Sequence, residues 1–168
     1  MNKQRALREM AIRELARRDF YYFLRLKWER YENKPFLDNW HIKYLCKVLE
    51  CTQKNTCQSE ELITRLILNM PPSYGKTEII ARCFIAWSLG KDRTKKIFYI
   101  SYSDELCRKI ANQVRDLMSS FFYQSIFFDE PLEFLQNNSR EFILKPPKQK
   151  SQISLVFGMN ALVPLGTI

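Results

Sequence analysis

Apolar residues along this chain recur at two different spacings, and the change from one to the other divides it into elements. Residues 2–31 read as one long helix, rich in Ala, Leu, Arg and Glu and free of Gly and Pro. Leu7, Met10, Ala11, Leu15, Phe20, Phe23 and Leu26 give it a patchy apolar stripe. Pro35 interrupts that pattern. A second helix follows, with Asp38 placed to cap it, through Trp40, Tyr44, Leu45, Val48 and Leu49. Residues 51–60 are polar and read as a surface loop. Residues 62–70 are rich in Leu and Ile and suit a buried parallel strand. From residue 75 to 89, Ile79, Ile80, Cys83, Phe84 and Trp87 return to helical spacing, and Gly90 stands where a helix-ending glycine is expected. Residues 96–103 predict a second parallel strand. Ser103 can cap the helix after it, with Asp104 and Glu105 at the positive end and Leu106, Ile110, Val114 and Leu117 on one face. Beyond Ser120 the chain is aromatic and less regular. Residues 141–145 and 152–157 are short strand candidates, with a turn at 146–151. Strand–helix–strand–helix order predicts an α/β fold with a doubly wound sheet.

Composition narrows the picture. A chain of 168 residues with 46% hydrophobic content is long enough for one domain with a real core. No stretch approaches the roughly 18 apolar residues of a membrane span, and the N-terminus is too charged for a secretory signal. The 27 Lys and Arg against 18 Asp and Glu give a net charge of +9, which favours an acidic partner such as nucleic acid. Arg5, Arg8, Arg13, Arg17 and Arg18 cluster on the first helix. They suit a solvated face laced with ion pairs to Glu9 and Glu14, with a basic arm for nucleic acid or a partner subunit as the alternative. The five cysteines form no Cys-x-x-Cys pair. His41, Cys46, Cys51 and Cys57 are spaced too widely for a usual zinc knuckle, so reduced thiols are the expectation.

The sharpest chemical signal is Leu66-Ile-Leu-Asn-Met-Pro-Pro-Ser-Tyr-Gly-Lys-Thr77. An apolar run ends in a turn, and the turn ends in Gly-Lys-Thr at the start of a helical pattern. This is the second half of the phosphate-binding G-x-x-x-x-G-K-[ST] loop, with Met70 at the first glycine position. Gly75 lets the backbone approach phosphate oxygens. The amides of Ser73, Tyr74, Gly75, Lys76 and Thr77 are the donors left after Pro71 and Pro72. Lys76 would reach the outer phosphates, and the Thr77 hydroxyl would ligate Mg²⁺. An ordinary strand–turn–helix with a surface lysine fits the same residues.

Three blocks of the chain resemble the ATPase half of the large terminase subunit of tailed bacteriophages. They are Phe36-Leu-Asp-Asn-Trp-His-Ile-Lys-Tyr-Leu45, the stretch from Leu66 to Gly90 containing Asn69-Met-Pro-Pro-Ser-Tyr-Gly-Lys-Thr-Glu78, and Ile100-Ser-Tyr-Ser-Asp-Glu-Leu106 with Val114 and Arg115. The double proline before the loop is the most specific part. The resemblance implies an α/β fold built on a partial P-loop NTPase sheet with flanking helices and a long N-terminal helix. It divides the chain into a helical arm, 1–35, and a truncated ATPase domain, 36–168. It implies ATP and Mg²⁺ as cofactors, Lys76 and Thr77 as catalytic residues, and Thr77 as the metal ligand. Trp40, His41, Ser73, Tyr74, Gly75, Lys76, Thr77 and Glu78 would bind the nucleotide, Trp40 and His41 beside the adenine. The implied partners are double-stranded phage DNA, a small terminase subunit and a portal protein, in a homo-oligomeric ring. The implied location is the cytoplasm of a bacterial host, in a phage- or prophage-encoded protein.

The chain departs from that family in two places. Ser73 stands where terminases usually carry an arginine, and Arg82 is the nearby cation in sequence. Ser125-Ile-Phe-Phe-Asp129-Glu130 has the form of a Walker B strand, but its apolar run is short, and the resemblance implies an acidic strand after residues 162–168. The chain is therefore expected to be an N-terminal terminase portion that turns over ATP weakly or not at all. A nucleotide- or DNA-binding remnant and a helicase-like translocase are the alternatives.

Overall fold

A computed structural model describes residues 3–53, 62–128, 132–138, 141–145 and 153–156. The first helical pattern is two helices, not one: α1, Lys3–Arg18, and α2, Phe20–Arg30. Asp19 breaks it. Its backbone is extended (φ −116°, ψ 116°), and its carboxylate accepts the Tyr22 amide at 2.6 Å. An aspartate that caps a new helix stops the old one without Gly or Pro. The turn carries Phe20, Phe23 and Leu24 into the interior, where all three are fully buried. The charged side of these helices is laced with ion pairs, Arg18 to Glu14 at 2.6 Å, Arg25 to Glu29 at 2.8 Å and Arg30 to Glu9 at 2.9 Å.

Helix α3, Trp40–Glu50, begins after Asn39, whose side chain makes no cap. Asp38 was expected in that role. It instead accepts the Tyr21 hydroxyl at 2.5 Å and ties α2 to the segment before α3. A π-helical stretch, Thr77–Phe84, runs directly into α4, Ile85–Lys91. Gly90 does not end this helix but lies inside it, and Asp92 is the first residue past it. A methyl group on Gly90 would sit 2.6 Å from the Phe127 ring, so the glycine is needed for close packing rather than for a turn.

Helix α5, Asp104–Ser119, has Ser103 as its cap, with the hydroxyl accepting the Leu106 amide at 3.3 Å. Ser120 caps a further short helix, α6, Phe121–Phe127. Ser125 to Phe127 are therefore helical, so the Walker B-like segment, already disfavoured by its short apolar run, is not a strand in that part. Asp129 and Glu130 lie outside the described residues.

The core joins α1, α2, α3, the π-helical stretch, α4, α5 and α6. Trp87 and Tyr123 are fully buried at its centre. Each satisfies its polar atom with a backbone carbonyl: Trp87 Nε1 donates to Ala16 at 2.9 Å, and the Tyr123 hydroxyl donates to Ala86 at 2.7 Å. Residues 62–70 and 96–103, expected as parallel strands, are extended but are not laddered together; Phe98 takes part in an isolated bridge, and no residue of 62–70 does. Their side chains alternate along 96–103 and from Ile67 to Met70. Leu68, Met70, Ile97 and Tyr99 pack on the core, while Ile67 is 96% exposed and Phe98 and Ile100 are each 64% exposed.

The sheet among the described residues is an antiparallel meander of β1, Phe134–Asn137, β2, Glu141–Leu144, and β3, Ile153–Val156. Phe142 and Leu144 point inward from β2, as its alternation requires. The turn at 146–151 lies outside the described residues. No helix among the described residues is long and apolar enough to cross a membrane.

Candidate functional site

The loop from Met70 to Thr77 turns sharply at two residues in the left-handed region, Ser73 (φ 67°) and Gly75 (φ 77°). Glycine adopts that conformation freely, whereas a serine holds it at a cost of about 1–2 kcal/mol. The two turns curl the backbone so that Lys76, the first residue of helical conformation, folds back across the loop. Its ammonium donates to the Met70 carbonyl at the end of the extended segment. The positive charge is thus held against the start of the loop it belongs to.

Two cavities meet at this loop, and Ser73, Gly75 and Glu78 line both. The larger, about 610 Å³, is mainly apolar and is walled by Trp28, Phe36, Ile42, Ile79 and the rings of His41 and Tyr74. Those two rings lie 5.5 Å apart. The smaller, about 400 Å³, is polar and is bounded by Lys76 and Thr77 on one side and by Leu106, Lys109, Ile110 and Gln113 of α5 on the other. An apolar aromatic chamber thus lies beside a polar one lined by Lys76, with Ser73, Gly75 and Glu78 common to both.

Glu78 is held from behind. Lys27 Nζ is 2.5 Å from its Oε1, and Arg82 Nη1 is 3.0 Å from the same oxygen. Glu32 completes the cluster, 2.8 Å from Lys27 and 3.3 Å from Arg82. The Lys27 hydrogen bond holds the Glu32 carboxyl below the usual carboxylate range, against the opposing effect of burial. Burial works against the Arg82 charge, but Glu78 beside it and bonded to it keeps the guanidinium above its ordinary value. Cys83, fully buried and 3.6 Å from Glu78, has its thiol pushed up by burial and by that carboxylate.

No family model, curated protein or solved structure matches the chain. The site therefore rests on its own geometry. Ser73, Gly75, Lys76, Thr77 and Glu78 are together at the polar cavity, and His41 and Tyr74 are together in the apolar one. Trp40 is not brought in. Its ring is 78% exposed, touches His41 edge-on at 6.2 Å and lines neither cavity. Trp40 opens α3, and the helix turns it outward while His41, one residue on, faces the loop. Arg82 does not take the place of a loop arginine, because Glu78 and Glu32 occupy its guanidinium.

Trp28, Phe36 and Lys109 line the cavities and carry no motif signal of their own. Phe36 opens the first of the terminase-like blocks, which is the one hint available. The expected thiols need one correction: Cys46, Cys83 and Cys107 are free, but Cys51 is disulfide-bonded. Among the described residues no group of three or more His, Cys, Asp or Glu side chains could hold a metal ion.

Proposed function

We propose that this chain binds a nucleoside triphosphate, with the base in the aromatic cavity and the phosphates in the cationic one. The observation that carries this reading is the Lys76 ammonium folded onto the Met70 carbonyl, inside a loop whose two left-handed residues face both cavities. An anion entering the curl meets a charge already in position and amides with no helical partner. His41, Tyr74, Trp28 and Phe36 supply apolar ring faces for a base, and His41 can hydrogen-bond its edge. The nucleotide is ATP and the metal Mg²⁺. Thr77, exposed at the polar cavity, would offer its hydroxyl to a metal whose other ligands are phosphate oxygens and water, and the ion would neutralise phosphate charge.

With the terminase resemblance, the wider reading is the nucleotide grip of a motor that couples ATP hydrolysis to packaging double-stranded phage DNA. A small terminase subunit, a portal protein and further copies in a ring are its proposed partners, in the cytoplasm of a bacterial host. Binding without turnover is the second reading, and Glu78 favours it. Glu78 is the one carboxylate among the described residues lining the polar cavity, and Lys27 and Arg82 already engage it. A carboxylate so held is a poor group for orienting an attacking water.

The deciding experiment is an ATP titration of the full chain and of Lys76→Ala. Loss of a charge-assisted hydrogen bond should weaken binding by about 1.5–3 kcal/mol. Equal affinities would overturn the proposal. Mg²⁺-dependent ATP turnover by the 168-residue chain would remove the second reading alone.

A further inference from the structure

The polar cavity has a second cation facing Lys76. Leu106, Lys109, Ile110 and Gln113 share one face of α5, at the 3, 4 and 7 spacing of a helix, and all four line the cavity opposite the loop. Ile110 is buried and fixes that face against the core, while Lys109 beside it stays exposed at the opening. The other two basic residues of α5 are engaged. Arg108 pairs with Asp104, and Arg115 donates to the Asn138 carbonyl at 2.6 Å. Lys109 has no hydrogen-bond or ion-pair partner among the described residues. With the Glu78 carboxylate of this cavity already engaged by Lys27 and Arg82, an unpaired ammonium sharing the chamber with Lys76 and Thr77 makes it a site for more negative charge than one lysine balances.

We propose that Lys109 is a phosphate-binding residue that closes the polyphosphate site from the α5 side. This rests on the nucleotide reading above and adds to it a discrimination by phosphate number. A compact ammonium on a flexible stem acts as a point charge and can follow a phosphate chain as it enters. Lys76 and the loop amides grip the chain from one side, and Lys109 meets it from the other. Ligands with three phosphates therefore gain from Lys109, and ligands with one gain little.

The test is a titration of the native chain, Lys109→Ala, Lys109→Arg and Lys76→Ala with inorganic tripolyphosphate, ATP and AMP. Lys109→Ala should bind tripolyphosphate and ATP about tenfold more weakly, in line with a lost charged contact. It should bind AMP within about twofold of the native chain, and Lys109→Arg should restore ATP affinity. Thermal unfolding should be unchanged in Lys109→Ala, because the side chain is exposed and unpaired. Native ATP affinity in Lys109→Ala with loss in Lys76→Ala would overturn this inference and leave the nucleotide reading standing. An equal loss for AMP and ATP in Lys109→Ala would also overturn it, by showing a general effect on the site. No loss in either alanine variant would overturn both.

Discussion

Lys27 of α2 is 1% exposed and lies 2.5 Å from the Glu78 carboxylate, in the first turn of the π-helical stretch that follows the Ser73–Gly75 turn. This ion pair joins the N-terminal helices to the wall of the candidate site. It does not stand alone, because Glu32 and Arg82 pair with it and the Trp28 ring lies 4.0 Å from the same ammonium. Four alternating charges pair with one another around the buried Lys27 ammonium, as a buried charge requires, although Arg82 Nε is left without a partner among the described residues.

Removing one member should be costly. Lys27→Met leaves two carboxylates sharing a single guanidinium, and a loss of about 3 kcal/mol in urea unfolding is expected. A change under about 1 kcal/mol would show that the cluster contributes little. Nucleotide affinity should fall in the same variant, because Glu78 borders both cavities.

Acid should weaken the same cluster. The folded-state pKa of Glu32 lies below its unfolded value, chiefly through the Lys27 hydrogen bond. Its contribution to stability is therefore complete above the unfolded value, about 4.3, and is lost as pH falls through the folded one. Denaturant unfolding between pH 7 and pH 3 should show native stability dropping below roughly pH 4.3. Glu32→Gln, less stable at neutral pH, should drop less steeply. Parallel curves would place the acid sensitivity elsewhere.

Gly90→Ala sets helix propensity against packing. Alanine is the better helix former by about 1 kcal/mol. Here the added methyl would meet the Phe127 ring at 2.6 Å. Overpacking should win, with a net loss of about 1–2 kcal/mol in thermal unfolding. Phe127→Leu in the same chain should recover part of that loss. A more stable Gly90→Ala protein would refute the packing role.

The two cavities should separate by chemistry. His41→Ala removes a ring from the apolar chamber, so ATP affinity should fall while tripolyphosphate affinity holds within about twofold. Trp40→Ala, outside both cavities, should leave both affinities unchanged. Equal losses in the two variants would contradict the division of the site.

Much of this was legible in the sequence. The α5 pattern and its Ser103 cap are local, so reading them needs no tertiary knowledge. The Gly75-Lys76-Thr77 turn is local too. What escaped depends on distant or very short-range events. The break at Asp19 is decided by one carboxylate choosing an amide, within a stretch whose propensity favours helix throughout. The role of Gly90 is set by a ring from α6. Helix α6 itself is only seven residues long, too short for a periodicity, and its aromatic run reads equally well as a strand. The same holds for the site. Its loop is written in one stretch, but Phe36, Trp28 and Lys109 reach it from three other parts of the chain, and only folding brings them there.

The outward side chains of the two extended segments bear on how the protein behaves in solution. Ile67, Phe98 and Ile100 face water instead of a neighbouring layer. Molecules of this kind adhere to one another, and the tendency grows with protein concentration. Light scattering should rise as the sample is concentrated, and replacing Ile67 and Phe98 with Thr should quiet it. Binding curves recorded on dilute protein will then describe a single molecule rather than a cluster.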